Sequence, residues 1–212
     1  FQVAGDEPRW PRSRADLFRL AWLVMLATLP ATLVALLFSK EIAQSFEQPR
    51  PVAVNFIFLG LLLVGVEWLR RRRIGQVTGP TMTSWQAAAI GLAQAGSAIF
   101  RGLSRSGMTI GGALLVGLER TWAVHFSFML AVVASVGLGA LGIARALLKS
   151  GGIPSWLTGE FLFCTLLGTV AAGVVGYLTI DVLIALVQRS RLSWFAVYLW
   201  VVAAAVLGSL PT

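Results

Sequence analysis

WQAAAIGLAQAGSAIFRGLSRSGMTIGGALLVGL, Trp85 to Leu118, is the stretch on which the fold turns. It begins as a helix-forming apolar segment, then breaks at RGLSRSG, then becomes apolar again. The first arm, Trp85 to Phe100, has 16 residues. At the helical rise these cover about 24 Å, less than the ~30 Å of a bilayer core. The second arm, from Met108, is shorter still. Two short arms around a polar, glycine-containing turn predict a re-entrant helix–loop–helix. Irregular backbone is tolerated at membrane depth only where protein or a water-filled cavity surrounds it. The alternative is a cytoplasmic loop between two weakly hydrophobic helices.

The rest of the chain supplies the membrane context. Of its 212 residues, 57% are hydrophobic and 12% charged, against about 25% charged in a soluble domain. Apolar runs cover 20–38, 52–69, 122–144, 161–187 and 194–210, after a polar N-terminal loop, 1–19. Spans need roughly 20 apolar residues. The composition predicts one all-α, polytopic membrane domain over 1–212. Pro30 lies at the centre of the first run and is expected to kink it. The net charge of +8 would suggest nucleic acid on a soluble protein, but here the arginines flank apolar runs. That is the positive-inside pattern, and no nucleic-acid role is expected.

Sidedness separates the two readings. Arg70 to Arg73 mark a cytoplasmic end. A re-entrant pair returns to that side and keeps Arg120 there. The next two runs cross outward and back, which puts Arg189 and Arg191 inside. A single crossing by Trp85 to Leu118 would put them outside. The first run then starts inside, beside Arg9, Arg12, Arg14 and Arg19.

The turn has the chemistry of an anion site. Ser104, Arg105, Ser106 and Gly107 precede a helix. The first N–H groups of a helix lack intrahelical partners, and the dipole favours an anion there. Gly107 allows close backbone approach. Ser104, Ser106 and Thr109 add hydroxyls, and Arg105 offers a planar fork that matches phosphate oxygens. An arginine at membrane depth marks a functional site by default. The plainer reading is that Ser104 only caps the helix while Arg105 snorkels or pairs locally. Arg101 is either a second phosphate ligand or an interfacial charge. Gln94 and Ser97 share a face and either line the cavity or bond a neighbouring helix.

Other polar residues suggest structure. Asp181 is expected to cap or to pair with Arg189, and Glu67 to be a solvated partner of the arginine run. Ala172 and Gly176 suggest close helix packing. Cys164, the single cysteine, reads as a buried inert thiol. His125, the single histidine, cannot build a zinc cluster alone. No nucleophile–His–acid set, intramembrane carboxylate pair or Walker-type loop can be assembled.

Gly91 to Ala131 resembles the second signature of undecaprenyl-diphosphate phosphatases, the bacitracin-resistance membrane family. The matching features are Gly91 with Gln94, the turn Gly102 to Gly107, then Gly111, Gly112 and Gly117, then Phe126 to Phe128. Thr28 to Phe38 and Ser193 to Trp200 resemble family segments in the right order. The resemblance implies a bundle of inverted repeats, each with a re-entrant pair. It also implies loss of the terminal phosphate of a C55 polyprenyl diphosphate, which recycles the lipid carrier for cell-wall synthesis in a bacterial inner membrane. A non-catalytic polyprenyl-phosphate binder or flippase is the alternative. By resemblance Arg105 is the catalytic group, and Gly102, Ser104, Ser106, Gly107, Thr109 and Gln94 bind substrate. The resemblance also implies a divalent cation, Mg or Ca, and allows a homodimer.

The sequence departs from the family at three places. The signature with catalytic carboxylates and a histidine, which lies upstream in the family, has no counterpart here. The chain therefore reads either as the C-terminal part of a longer protein, with metal ligands elsewhere, or as a divergent paralogue that has lost that half; no turnover is expected from 1–212 alone. Arg101 replaces the proline of the turn. Val133 and His125 replace a proline and an arginine around Phe126 to Phe128.

Overall fold

The computed structural model describes residues 13–38, 49–70, 77–100, 102–150, 157–189 and 192–209. Arg101, Arg71 to Arg73, Ser190 and Arg191 lie outside them, as do the side chains of Asp181 and Arg189. Seven α-helices are present among the described residues: α1 (Arg14–Leu37), α2 (Pro49–Arg70), α3 (Ser84–Ile99), α4 (Arg105–Leu115), α5 (Arg120–Ser150), α6 (Gly159–Arg189) and α7 (Leu192–Ser209). A single 3-10 turn, Gly79–Thr81, precedes α3. Helices α1, α2, α5 and α6 are each long and apolar enough to cross a membrane. The protein is an all-α, polytopic membrane protein.

Helix α1 begins six residues before the apolar run that the sequence marks. The Ser13 hydroxyl accepts from Asp16 N–H at 3.0 Å, and the Asp16 carboxylate accepts from Ser13 N–H at 3.3 Å. This reciprocal cap draws part of the polar leader, from Arg14, into the helix. Pro30 is contained within α1, which stays helical to Leu37.

The helices form a row, α7–α2–α4–α3–α1, with α5 packed across α4 and α1. One core joins Leu23, Val24 and Ala27 of α1 to Ile90 of α3 and to Phe126 and Leu130 of α5. A second joins Leu59, Leu63 and Val66 of α2 to Leu103 and to Ala196 of α7. Trp200 of α7 donates its indole N–H to the Ile57 carbonyl at 3.2 Å. Lipid is as apolar as these cores, so close packing and hydrogen bonds hold the helices together.

Helices α3 and α4 form a hairpin that ends where it began. Val77 N–H donates to the Gly117 carbonyl at 3.2 Å, and Glu119 N–H donates to the Val77 carbonyl at 2.9 Å. Gln86 bridges the same two ends, accepting from Thr83 N–H at 2.8 Å and donating to the Val116 carbonyl at 2.9 Å. Gly117 has φ +90°, which turns the chain out of the hairpin. Arg19 of α1 donates to the carbonyls of Pro80 and Met82 at the same end. Glu67 of α2 and Arg120 of α5 pair there at 3.3 Å. One end of the bundle thus holds the start of α1, the end of α2, both ends of the hairpin and the start of α5.

Cysteines replacing Thr81 and Glu119, in a Cys164→Ser background, should label from one side of the membrane. Labelling from opposite sides would rule out the re-entrant arrangement.

Two expectations need correction. Ala172 and Gly176 do not pack against another helix among the described residues: every side chain from Gly159 to Thr179 is exposed, and no described atom would contact a Cβ at Gly173 or Gly176. Cys164 lies on this helix and is exposed, not buried. Both follow from the position of α6, which packs chiefly on α5 at the edge of the bundle.

Candidate anion site at the hairpin tip

The hairpin tip is shaped by two local features. Gly102 has φ +88°, and a Cβ there would stand 2.8 Å from the Val52 carbonyl oxygen of α2. Only glycine meets both conditions without strain. Ser104 then caps α4, its hydroxyl accepting from Gly107 N–H at 3.2 Å. The capping reading of Ser104 is therefore satisfied. The Ser104 and Ser106 side chains remain exposed.

Arg105 is the first residue of α4 and is partly buried. Its Nη2 donates to the Leu130 carbonyl of α5 at 2.8 Å. Leu130 lies ten residues beyond Arg120 in α5, about 15 Å along the helix. Helix α4 itself, at 11 residues, is about 16 Å long. Both distances run from the end carrying Glu67 and Arg120. They are about half the ~30 Å thickness of a bilayer core. Among the described residues no carboxylate pairs with it. One peptide carbonyl takes one of five N–H donors, and the positive charge is otherwise uncompensated among the described residues.

The other candidates divide into those at the open tip and those turned inward. Thr109 is 1% exposed. Its hydroxyl donates to the Arg105 carbonyl at 2.9 Å and lies 2.6 Å from the Ser127 hydroxyl of α5. Thr109 thus joins α4 to α5 and presents no hydroxyl to the tip. Gly107 serves packing as well as the cap, because a Cβ there would stand 3.2 Å from Leu59 Cδ1. Gln94 is 2% exposed, and its Oε1 has no partner among the described residues. Ser97 donates to the Gln94 backbone carbonyl at 2.7 Å, within its own helix.

Three sequence readings change or are extended. Glu67 is buried against Arg120, not solvated beside the arginine run. The pair closes the mouth of the hairpin, away from the tip. His125 donates its Nδ1–H to the Thr121 carbonyl at 2.7 Å, which places it near the start of α5. Ser127 and the Leu130 carbonyl carry the contacts to Thr109 and Arg105. Ser127 lies in the Phe126 to Phe128 run that the resemblance marked but was given no role there, and nothing in the sequence pointed to Leu130.

Metal fit is poor at this tip. Hydroxyls, a guanidinium and a peptide carbonyl surround it, and a cation is repelled by Arg105. No group of three or more His, Cys, Asp or Glu side chains comes together among the described residues.

The chain is similar to known proteins along most of its length. The family model for bacitracin resistance protein BacA matches residues 3–205. An undecaprenyl-diphosphatase of Carboxydothermus hydrogenoformans is 32% identical over 190 residues, covering 89% of this chain and 69% of that protein. One from Rubrobacter xylanophilus is 37% identical over 188 residues, covering 89% of this chain and 65% of that protein. One from Methanobrevibacter smithii is 35% identical, covering 91% of this chain and 66% of that protein. The chain thus spans about two thirds of the length of the relatives it matches. Since the match runs from before α1 into α7 and includes the whole hairpin, the chain belongs to the BacA family of bacitracin resistance proteins.

Proposed function

We propose that the complete protein hydrolyses undecaprenyl diphosphate to undecaprenyl phosphate and phosphate. The reaction recycles the lipid carrier for cell-wall synthesis at the bacterial inner membrane and confers bacitracin resistance. The observation that carries this reading is Arg105: a partly buried guanidinium among apolar helices, at a helix N-terminus, with no carboxylate partner among the described residues. An unpaired charge in a bilayer is costly, and an anionic ligand offsets that cost. The relatives' name, undecaprenyl-diphosphatase, supplies the ligand class.

In the reaction, water attacks the terminal phosphorus and the bond to the bridging oxygen breaks. Its electron pair stays on the lipid phosphate, and the water proton leaves to a base. Negative charge spreads over the phosphoryl oxygens at the transition state. Arg105 is positioned to stabilise it through the edge of its guanidinium not bonded to Leu130. The N–H groups at the start of α4 and the exposed hydroxyls of Ser104 and Ser106 hold the diphosphate. The base, and the ligands of any divalent cation, come from outside this site, because no described carboxylate reaches Arg105.

The test is phosphate release from undecaprenyl diphosphate in detergent by the complete protein, with and without Mg or Ca. Lipid monophosphate should form in equal amount. Saturable binding without release would instead make this a non-catalytic polyprenyl-phosphate binder.

A further inference from the structure

We propose that Ser127 is a positioning residue for Arg105. This deepens the reading above and rests on it for its catalytic consequence. The structural basis is a pair of polar links between α4 and α5. Ser127 lies 2.6 Å from Thr109. Leu130, three residues further along α5, accepts from Arg105 through its carbonyl at 2.8 Å. Residues three or four apart share a helix face. Arg105 and Thr109 therefore lie on one face of α4, and Ser127 and Leu130 on one face of α5. The links sit side by side.

Proton accounting gives the first link a direction. Thr109 has one hydroxyl proton, and it is given to the Arg105 carbonyl at 2.9 Å. Ser127 is then the donor to Thr109. The hydrogen-bond series runs from Ser127 to Thr109 to the Arg105 backbone. Both hydroxyls are buried, with Thr109 at 1% and Ser127 at 6% exposed. Loss of the Ser127 hydroxyl leaves the Thr109 oxygen short of a donor in a site that excludes water, a costly state. Helix α4 then keeps only the Arg105–Leu130 link to α5, and the guanidinium's register over Leu130 is held by one contact instead of two. Aromatic packing from Phe126, 1% exposed on the same helix, holds α5 in place but sets no rotation of α4.

The consequence belongs to the transition state more than to binding. A charge displaced by a fraction of an ångström still attracts a diphosphate, but no longer meets the developing charge in line. Ser127→Ala in the complete protein should lower kcat on the order of tenfold, with little change in KM. Thr109→Val should do the same, and the double variant should be no worse than either alone. Thr109→Ser keeps the hydroxyl and should restore most of kcat. Thr169→Val is the control. Its hydroxyl donates to the Thr165 carbonyl within α6 at 2.8 Å, and its loss should change nothing.

A second readout does not depend on turnover. In protein labelled with ¹³C-arginine, the Cζ resonance of Arg105, assigned by its disappearance in Arg105→Lys, should shift in Ser127→Ala and stay in place in Thr169→Val. An unmoved resonance, or kcat within twofold of the parent, would overturn the proposal. A shifted resonance in a protein that releases no phosphate would refute the phosphatase reading and leave the positioning role standing.

Discussion

Arg105→Lys will lower phosphate release from undecaprenyl diphosphate by about a hundredfold or more, with a smaller effect on lipid binding. Lysine keeps the positive charge, so the electrostatic attraction to an anion survives. It loses the planar fork, which gives two parallel N–H···O bonds to phosphate oxygens. The geometry makes this loss acute. One Arg105 N–H is already committed to the Leu130 carbonyl at 2.8 Å, and the opposite edge of the guanidinium stays available. An ammonium cannot hold a backbone carbonyl on one side and present a flat bidentate edge on the other. Removing a donor aimed at transition-state charge costs on the order of 3 kcal/mol. Arg145→Lys, on the exposed far part of α5, should leave the rate unchanged. Near-normal turnover in Arg105→Lys would remove Arg105 from the mechanism.

The hairpin and its tip were legible in the sequence because they depend on local rules. Arm length against bilayer thickness predicted a re-entrant pair of short helices; the helical hairpin itself is present, closed at one end by the backbone links from Val77 to Gly117 and Glu119. Ser104 as a helix cap follows from residue type at a helix start, and its bond to Gly107 N–H is of that kind. The partners of the site were not legible. Leu130 is 25 residues from Arg105, Ser127 is 18 from Thr109, and Arg120 is 53 from Glu67. Such contacts are set by which helix faces meet. In a membrane those faces carry little sequence signal, because lipid is as apolar as the protein core. Leu23 and Leu29 show this on one helix: the first is 1% exposed and the second 52%. The open face of α6 was unreadable for the same reason. Its small residues look like a packing face whether or not a helix lies against them.

Gly91→Ala will destabilise the protein and slow turnover, although alanine is the better helix former. Gly91 lies in α3 where that helix meets α1. A Cβ there would stand 2.4 Å from the Ala27 carbonyl oxygen and 2.9 Å from Ala27 Cα. Both are backbone atoms, so no side-chain rotation can relieve the overlap, and the helices must separate. Forcing a methyl group into a closed core costs about 1–3 kcal/mol. Helix propensity returns at most about 1 kcal/mol. Ala27→Gly should not rescue the variant, because the atoms in the way remain. Gly65→Ala in α2, where nothing lies within 4 Å of the added Cβ, should be neutral or stabilising. The effect on turnover follows from the same contact. Ala93 of α3 meets Gly112 of α4, where an added Cβ would stand 3.0 Å from the Ala93 Cβ, so α3 cannot shift without moving α4. Arg105 is the first residue of α4, and its register over Leu130 moves with that helix. Thermal midpoints and phosphate release of Gly91→Ala, Gly65→Ala and Gly91→Ala/Ala27→Gly in the same detergent provide the check. A Gly91→Ala midpoint at or above that of the parent would show that α1 and α3 do not approach as closely as the Ala27 carbonyl indicates.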